Sequence, residues 1–236
     1  EAALRENEER LRLSLHAANQ GLYDLNVQTG NAIVNREYAE MLGYDFDSFV
    51  ETNAAWIERL HPDDQEITAN AYADYIKGLT SEYRVEFRQR TKAGDWKWIL
   101  SLGKVVEYDA VGKPLRMLGT HTDITARKQA EVKLRNSEEQ YRLMFTNNPL
   151  PIFVFDRQTF VFLAVNDATI EHYGYSREEF LQMTIKDIRL PEDIPAMLNI
   201  VAAESTPYYN IGVVKHRKKD GTLIDVEITR HDILFD

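Results

Sequence analysis

The chain has 236 residues, of which 44% are hydrophobic and 28% charged, with a formal net charge of -10. This is the composition of folded globular protein, and its acidic balance argues against a phosphate-backbone footprint, which needs clustered Lys and Arg. The absence of cysteine excludes disulfides, zinc-thiolate sites and cysteine nucleophiles, and neither a signal peptide nor an apolar run of about 18 residues is present.

The first predicted element is a helix over residues 1–18, with Leu4, Leu11 and Leu15 at helical spacing and acids near its start. Residues 21–27 and 32–35 are two short apolar runs separated by Thr29-Gly30-Asn31, the pattern of a β-hairpin. Residues 36–78 carry helical periods. Within them His61-Pro62-Asp63-Asp64 places a proline and two acids at a helix start, which favours helix capping over a metal site. Three strands follow. Tyr83, Val85 and Phe87 alternate with polar residues, as do Trp96, Trp98, Leu100 and Leu102, and residues 115–124 close the set after Gly112-Lys113-Pro114. The order β-β-α-α-α-β-β-β predicts one five-stranded antiparallel sheet with helices on one face.

Helix formers from Arg127 to Leu134 then predict a connecting helix over 126–145. Arg127, Leu134 and Tyr141 fall at heptad position a, and Ala130, Ser137 and Met144 at d. The N-terminal helix repeats this with Leu4 and Leu11 at a, Asn7 and Ser14 at d. Against a continuous seam, Ser137-Glu138-Glu139-Gln140 matches a capping box that starts a new helix.

From here the chain writes itself a second time. Leu4-Arg5-Glu6-Asn7-Glu8-Glu9 returns as Leu134-Arg135-Asn136-Ser137-Glu138-Glu139, Gln28-Thr29 as Gln158-Thr159, and Leu42-Gly43-Tyr44 as Tyr173-Gly174-Tyr175. Asp95 and its neighbours match residues 218–222, and the offsets of 127 to 131 residues are those of a whole domain, not of a solenoid unit. The second copy predicts strands at 151–155 and 161–165, helices over 167–203, and strands at 211–217 and 223–234. The basic run Lys215 to Lys219 leads into Asp220-Gly221 and reads as a solvated hairpin tip. The counterpart of Gly112 would fall beyond residue 236, so the last strand of this copy is expected to be absent from the sequence, and Glu1 in place of a start Met points to a piece of a longer protein. The predicted organisation is an α+β chain: helix 1–18, a first domain at 19–125, a connecting helix at 126–145 and a C-terminally truncated second domain at 146–236.

Taken in order, these features resemble tandem PAS sensory domains: Asn35 and Asn166-Asp167 after the second strand, the Leu-Gly-Tyr and Tyr-Gly-Tyr turns before Phe49 and Phe180, the His61-Pro62-Asp63-Asp64 box, and Gly119-Thr120-His121-Thr122-Asp123-Ile124-Thr125 followed by Ala126-Arg127-Lys128. The first copy resembles the subclass with a Trp-rich penultimate strand and a terminal PAC motif. The resemblance implies a cytoplasmic sensing and dimerisation region of a bacterial signalling protein. Its expected output is a sensor histidine kinase, and the parent protein could be membrane-anchored outside this segment. The alternatives are the input of a diguanylate cyclase or phosphodiesterase, or a protein-interaction pair without ligand. The resemblance assigns signal transmission to Asp123, Ile124 and Thr125, and expects a homodimer, no nucleic-acid or membrane contact, and no catalytic or metal site in this segment.

No cofactor is expected. A flavin-cysteine adduct and a thioester-anchored chromophore both need the missing Cys, and no His lies in 63–78 or 192–203, where a haem ligand is commonly placed in the family. An unidentified small molecule is the alternative to a closed hydrophobic core. Its candidate pocket residues are Tyr38, Met41, Trp56, Tyr72, Phe87, Trp98 and Met117 in the first copy. In the second they are Phe153, Leu163, Tyr173, Met197, Val214, His216, Ile228 and Arg230.

Overall fold

The computed structural model describes residues 2–202 and 209–233, in two units, Glu1–Lys133 and Leu134–Asp236. The expectations that reach Glu1, Ala203 and Leu234, and the side chains of Leu4 and Leu11, lie outside the described residues.

Helix α1 (Ala2–Ala17) precedes strands β1 (Gly21–Asn26) and β2 (Asn31–Val34), which pair antiparallel. The hairpin turns because Asn26 Oδ1 accepts from the amides of Gln28 (3.1 Å) and Thr29 (2.9 Å), while Gly30 takes φ +75°, which glycine adopts without a Cβ penalty. Asn35 then ends the strand and starts helix α2 (Arg36–Met41) with one side chain. Its Oδ1 accepts from Leu22 N (2.7 Å) and Tyr38 N (3.1 Å), and its Nδ2 donates to Gln20 O (3.0 Å). An apolar residue there would leave those backbone groups unpaired as the chain changes geometry.

The region expected to be helical contains α2, α3 (Asn53–Glu58), α4 (Gln65–Ile76), two 3-10 turns and a two-residue strand β3 (Glu51–Thr52). Strands β4 (Tyr83–Arg90), β5 (Trp96–Tyr108) and β6 (Pro114–Asp123) complete an antiparallel sheet in the order β3-β2-β1-β6-β5-β4. The sheet thus has the five expected strands plus β3, which is too short to show alternation in sequence.

The core is built from Tyr23, Tyr38, Met41, Leu42, Leu60, Tyr83, Val85, Phe87, Ile99 and Met117. Its centre depends on two glycines. Gly103 and Gly119 are direct cross-strand partners, and a Cβ on Gly119 would overlap both Leu102 O and the Tyr23 ring. The notch they leave receives Tyr23 and places Ile99, Ser101 and Gly103 on the inner face of β5. Strand periodicity then sends Trp98 outward with Leu100 and Leu102. The Trp98 ring lies under Lys128 Nζ (4.9 Å) and Arg88 Cζ (5.2 Å), so its expected place in the pocket is corrected.

Helix α5 (Thr125–Thr146) is continuous through Ser137, so the capping-box sequence does not break it. An N-cap operates only where the backbone leaves the helical region, and residues on both sides of Ser137 are helical.

The second unit repeats the plan with β7 (Phe153–Phe155), β8 (Phe162–Val165), α6 (Asp167–Tyr173), α7 (Arg177–Phe180), α8 (Ile194–Ala202), β9 (Tyr209–Arg217) and β10 (Leu223–Arg230). Asn166 repeats the work of Asn35, capping Thr169 N (3.0 Å), accepting from Ile152 N (2.8 Å) and donating to Leu150 O (2.8 Å). The four described strands form two separate ladders, β7-β8 and β9-β10. In the first unit β6 joins the equivalent hairpins by pairing with both β1 and β5, and among the described residues of the second unit no strand takes that place.

Candidate functional site

In the first unit the space between the sheet and helices α2 to α4 is a cavity of about 520 Å³, within the size range of small-molecule sites. Tyr38, Trp56, Tyr72 and Met117 line it as expected. Met41 and Phe87 belong to the packed core beside it and do not reach its wall.

Several wall residues carry no apolar alternation that would have flagged them: Tyr23, Glu51, Ser101 and His121. Glu51 is buried and ion-paired with Arg59, whose guanidinium also lies against the rings of Phe49 (5.4 Å) and Tyr44 (5.8 Å). Tyr23 Oη sits 3.5 Å from Ser101 Oγ, and burial pushes its pKa up to about 12. Burial likewise raises that of Tyr38, with Glu51 adding to the effect, so both phenols stay protonated. His121, on β6, stacks on Tyr38 at 4.8 Å and meets Tyr23 and Phe87 edge-on. Burial, reinforced by the Arg59 charge, lowers its pKa to about 3, so its imidazole is neutral. Among the described residues the buried indole Nε1–H of Trp56 has no acceptor. The cavity is therefore an apolar chamber with neutral hydrogen-bonding groups and one internally compensated ion pair.

Strand β6 runs from this wall to the exit of the domain. Met117 and His121 line the cavity, and two residues after His121 the strand ends at Asp123. There Asp123 Oδ1 accepts from Thr125 N (2.9 Å) and Oδ2 pairs with Lys97 Nζ (2.8 Å). Ile124 is buried and donates its N–H to Trp98 O (2.9 Å), while Thr125 Oγ1 accepts from Trp98 N (3.0 Å). The first turn of α5 is held further by Glu86, which pairs with Arg127 (2.7 Å) and Lys128 (2.6 Å). All three residues expected at the joint thus take part in a single fastening of helix to sheet.

The His61 box also has a definite partner. His61 Nδ1 caps Asp63 N (3.2 Å), and Asp64 accepts from Arg88 through the backbone N (2.7 Å), Nε (2.9 Å) and Nη2 (2.7 Å). The cap is thus made by His61 on the 3-10 turn Pro62–Asp64, while Asp64 makes no side-chain cap on α4 and instead holds the start of that helix against β4.

In the second unit Phe153, Leu163, Tyr173, Met197, Val214, His216, Ile228 and Arg230 all border one wide cleft of about 1500 Å³ between the two ladders and α8. Leu163 is half exposed. Arg230 is already engaged, donating from Nη1 to Ile200 O (2.7 Å) and pairing with Asp232 (2.7 Å). Arg189, absent from the sequence expectations, is buried in the same cleft. A single Arg in a segment of mixed character gives no sequence signal for this.

Family comparisons agree with this geometry. The PAS fold family model matches residues 31–121 and the PAS domain family model residues 139–204. The crystal structure of a sensory box histidine kinase/response regulator from Burkholderia thailandensis is 34% identical over 56% of this chain and 98% of that one, with a TM-score of 0.50.

The chain belongs to the PAS family.

Two curated relatives are much longer proteins. The two-component sensor PprA of Pseudomonas aeruginosa is 28% identical over 194 residues, 80% of this chain but 20% of PprA. The hybrid signal transduction histidine kinase A of Dictyostelium discoideum is 37% identical over 76 residues, 31% of this chain and 4% of that protein. The PAS pair spans a fifth or less of the length of these relatives. Among its described residues no helix is long and apolar enough to cross a membrane.

Proposed function

We propose that this PAS pair is the sensory input region of a signal-transduction protein whose output is a histidine kinase. A small molecule held in the cavity of the first domain sets the signal. The observation that carries the reading is the course of β6: the strand that supplies Met117 and His121 to the cavity wall ends in the Asp123-Ile124-Thr125 fastening and continues as α5. A ligand that shifts β6 therefore acts directly on the helix leaving the domain. The signalling names of PprA, the Dictyostelium kinase and the Burkholderia protein support a kinase as output.

A homodimer along α5 belongs to the same proposal. Leu134, Tyr141 and Met144, at heptad positions a, a and d, are 63%, 74% and 73% exposed, an apolar stripe suited to pairing with a second copy. The segment itself holds no nucleotide-binding or phosphoacceptor machinery in this reading, and no cofactor is assigned to it.

Native mass spectrometry of the purified chain reads the cavity directly: a co-purifying small molecule lost in a cavity-filling Ser101→Leu variant supports the reading. Stimulus-dependent autophosphorylation of the parent protein reads the output, and it should become stimulus-independent when Asp123 and Thr125 are both replaced by Ala. Normal regulation by that double variant would overturn the proposed path.

A further inference from the structure

The two domains place different chemistry at the same three backbone positions. In the first domain Leu60 forms an isolated antiparallel bridge with Gln89, and Leu42 O accepts from Lys92 N at 2.9 Å. In the second, Arg189 forms the same bridge with His216, and Tyr173 O accepts from Lys219 N at 3.0 Å. Leu, Leu and Gln have become Tyr, Arg and His. Bridged residues project from the same face of the sheet with their Cβ atoms close together, so the three side chains form one cluster.

That cluster is short of acceptors. Arg189 is 8% exposed, and among the described residues its guanidinium makes no hydrogen bond and has no carboxylate within ion-pair distance. Asp193 influences its charge only from farther away, and burial lowers its pKa. His216 is 1% exposed, with Nδ1 2.6 Å from Tyr173 Oη, and among the described residues its Nε2 has no partner. Burial, then the positive field of Arg189 and His172, lowers the His216 pKa to about 3, which keeps the ring neutral. With Tyr173 donating to Nδ1, the neutral ring presents Nε2–H as a second unused donor. An Arg drawn this far from water without a carboxylate partner is costly, and replacing it by Leu, as at position 60 in the first domain, would be the simpler packing.

We propose that Arg189 and His216 form a binding site for a small organic carboxylate in the second domain. The planar guanidinium fork matches a carboxylate bidentately, and His216 Nε2–H supplies a third bond. Ile188 and Met197, both buried and both on the wall of the same cleft, select an apolar body behind the carboxylate. The assignment stands independently of the ligand proposed for the first domain.

The test is calorimetric titration of the full 236-residue chain with benzoate and hexanoate, against benzyl alcohol and hexan-1-ol. The carboxylates should bind and the matched alcohols should bind at least about tenfold more weakly, because the alcohol lacks the charge and second oxygen that the fork needs. Arg189→Leu, the residue the first domain carries, should abolish carboxylate binding, and Arg189→Lys should retain part of it. No carboxylate binding, equal binding of the alcohols, or undiminished binding by Arg189→Leu would each overturn the proposal. Should that variant fail to fold, the ¹⁵N signal of His216 Nε2 in the unaltered chain decides: a shift on adding benzoate supports the site, and an unmoved signal overturns it.

Discussion

Replacing Asp123 by Ala tests the fastening between sheet and helix in the first domain. The change removes two attachments of one carboxylate, the 2.9 Å bond from Thr125 N and the 2.8 Å pair with Lys97. Losing a capping acceptor costs about 1 kcal/mol. Because the two side chains of the pair are 35% and 24% exposed, the ion pair adds at most about 1 kcal/mol. The total, about 1 to 2 kcal/mol, is small against a domain margin of roughly 5 to 15 kcal/mol, so the domain should stay folded with its Tm lowered by about 3 to 8 °C. Burial pushes the Asp123 carboxyl up, but Lys97 and Thr125 outweigh it and hold its pKa below the ordinary value. A depressed folded pKa favours the ionised native form. The stabilisation is therefore complete above the unfolded pKa of about 3.9 and is lost as pH falls through the lower folded value. Thermal unfolding of the parent chain and Asp123→Ala should differ fully at neutral pH and converge in acid, with faster amide exchange at Thr125 in the variant. The reasoning fails if the Tm difference is absent at neutral pH, persists unchanged in acid, or is replaced by global unfolding.

Gly119→Ala should destabilise the first domain by about 1 to 3 kcal/mol in denaturant titration, because its Cβ would overlap Leu102 O and the Tyr23 ring; an unchanged midpoint would contradict the notch. His121 and His216 have folded pKa values near 3, so the unfolded chain binds protons first, and stability should fall as pH drops from about 6.5 toward 3, less steeply in His121→Gln. Imidazole NMR titration checks this, and protonation of either ring near pH 6.5 in the folded chain refutes it. Freshly purified protein should show no stoichiometric visible band of haem or flavin; if one appears, its loss in His121→Ala or His216→Ala locates the ligand. Leu134→Lys with Met144→Lys should weaken self-association in sedimentation, and an unshifted dimer fraction would remove α5 from the interface.

The sequence determined what depends on local pattern and repetition. Alternating Tyr83, Val85 and Phe87, the Thr29-Gly30 turn and the helix caps made by Asn35 and Asn166 each act within a few residues of themselves, so strands, turns and helix starts could be read from them, whereas the bonds of the same two Asn side chains to Leu22, Gln20, Ile152 and Leu150 are not local. The repeat gave the second unit by comparison with the first. The Asp123-Ile124-Thr125 fastening was implied by the family resemblance; its bond from Thr125 N to Asp123 is local, and its bonds to Trp98 and Lys97 are not. Tertiary structure decided the rest. Trp98 looked like a pocket residue because alternation names two faces without saying which is inner, and only the meeting of Tyr23 with Gly103 and Gly119 fixes that choice. Ser137 looked like a helix start because its partners are in sequence, yet the backbone there remains helical. His121 and Arg189 carry no periodic signal. Each becomes a candidate functional group only when folding removes it from water and sets it beside side chains distant in the chain, His121 against Tyr38 and Arg189 across from His216.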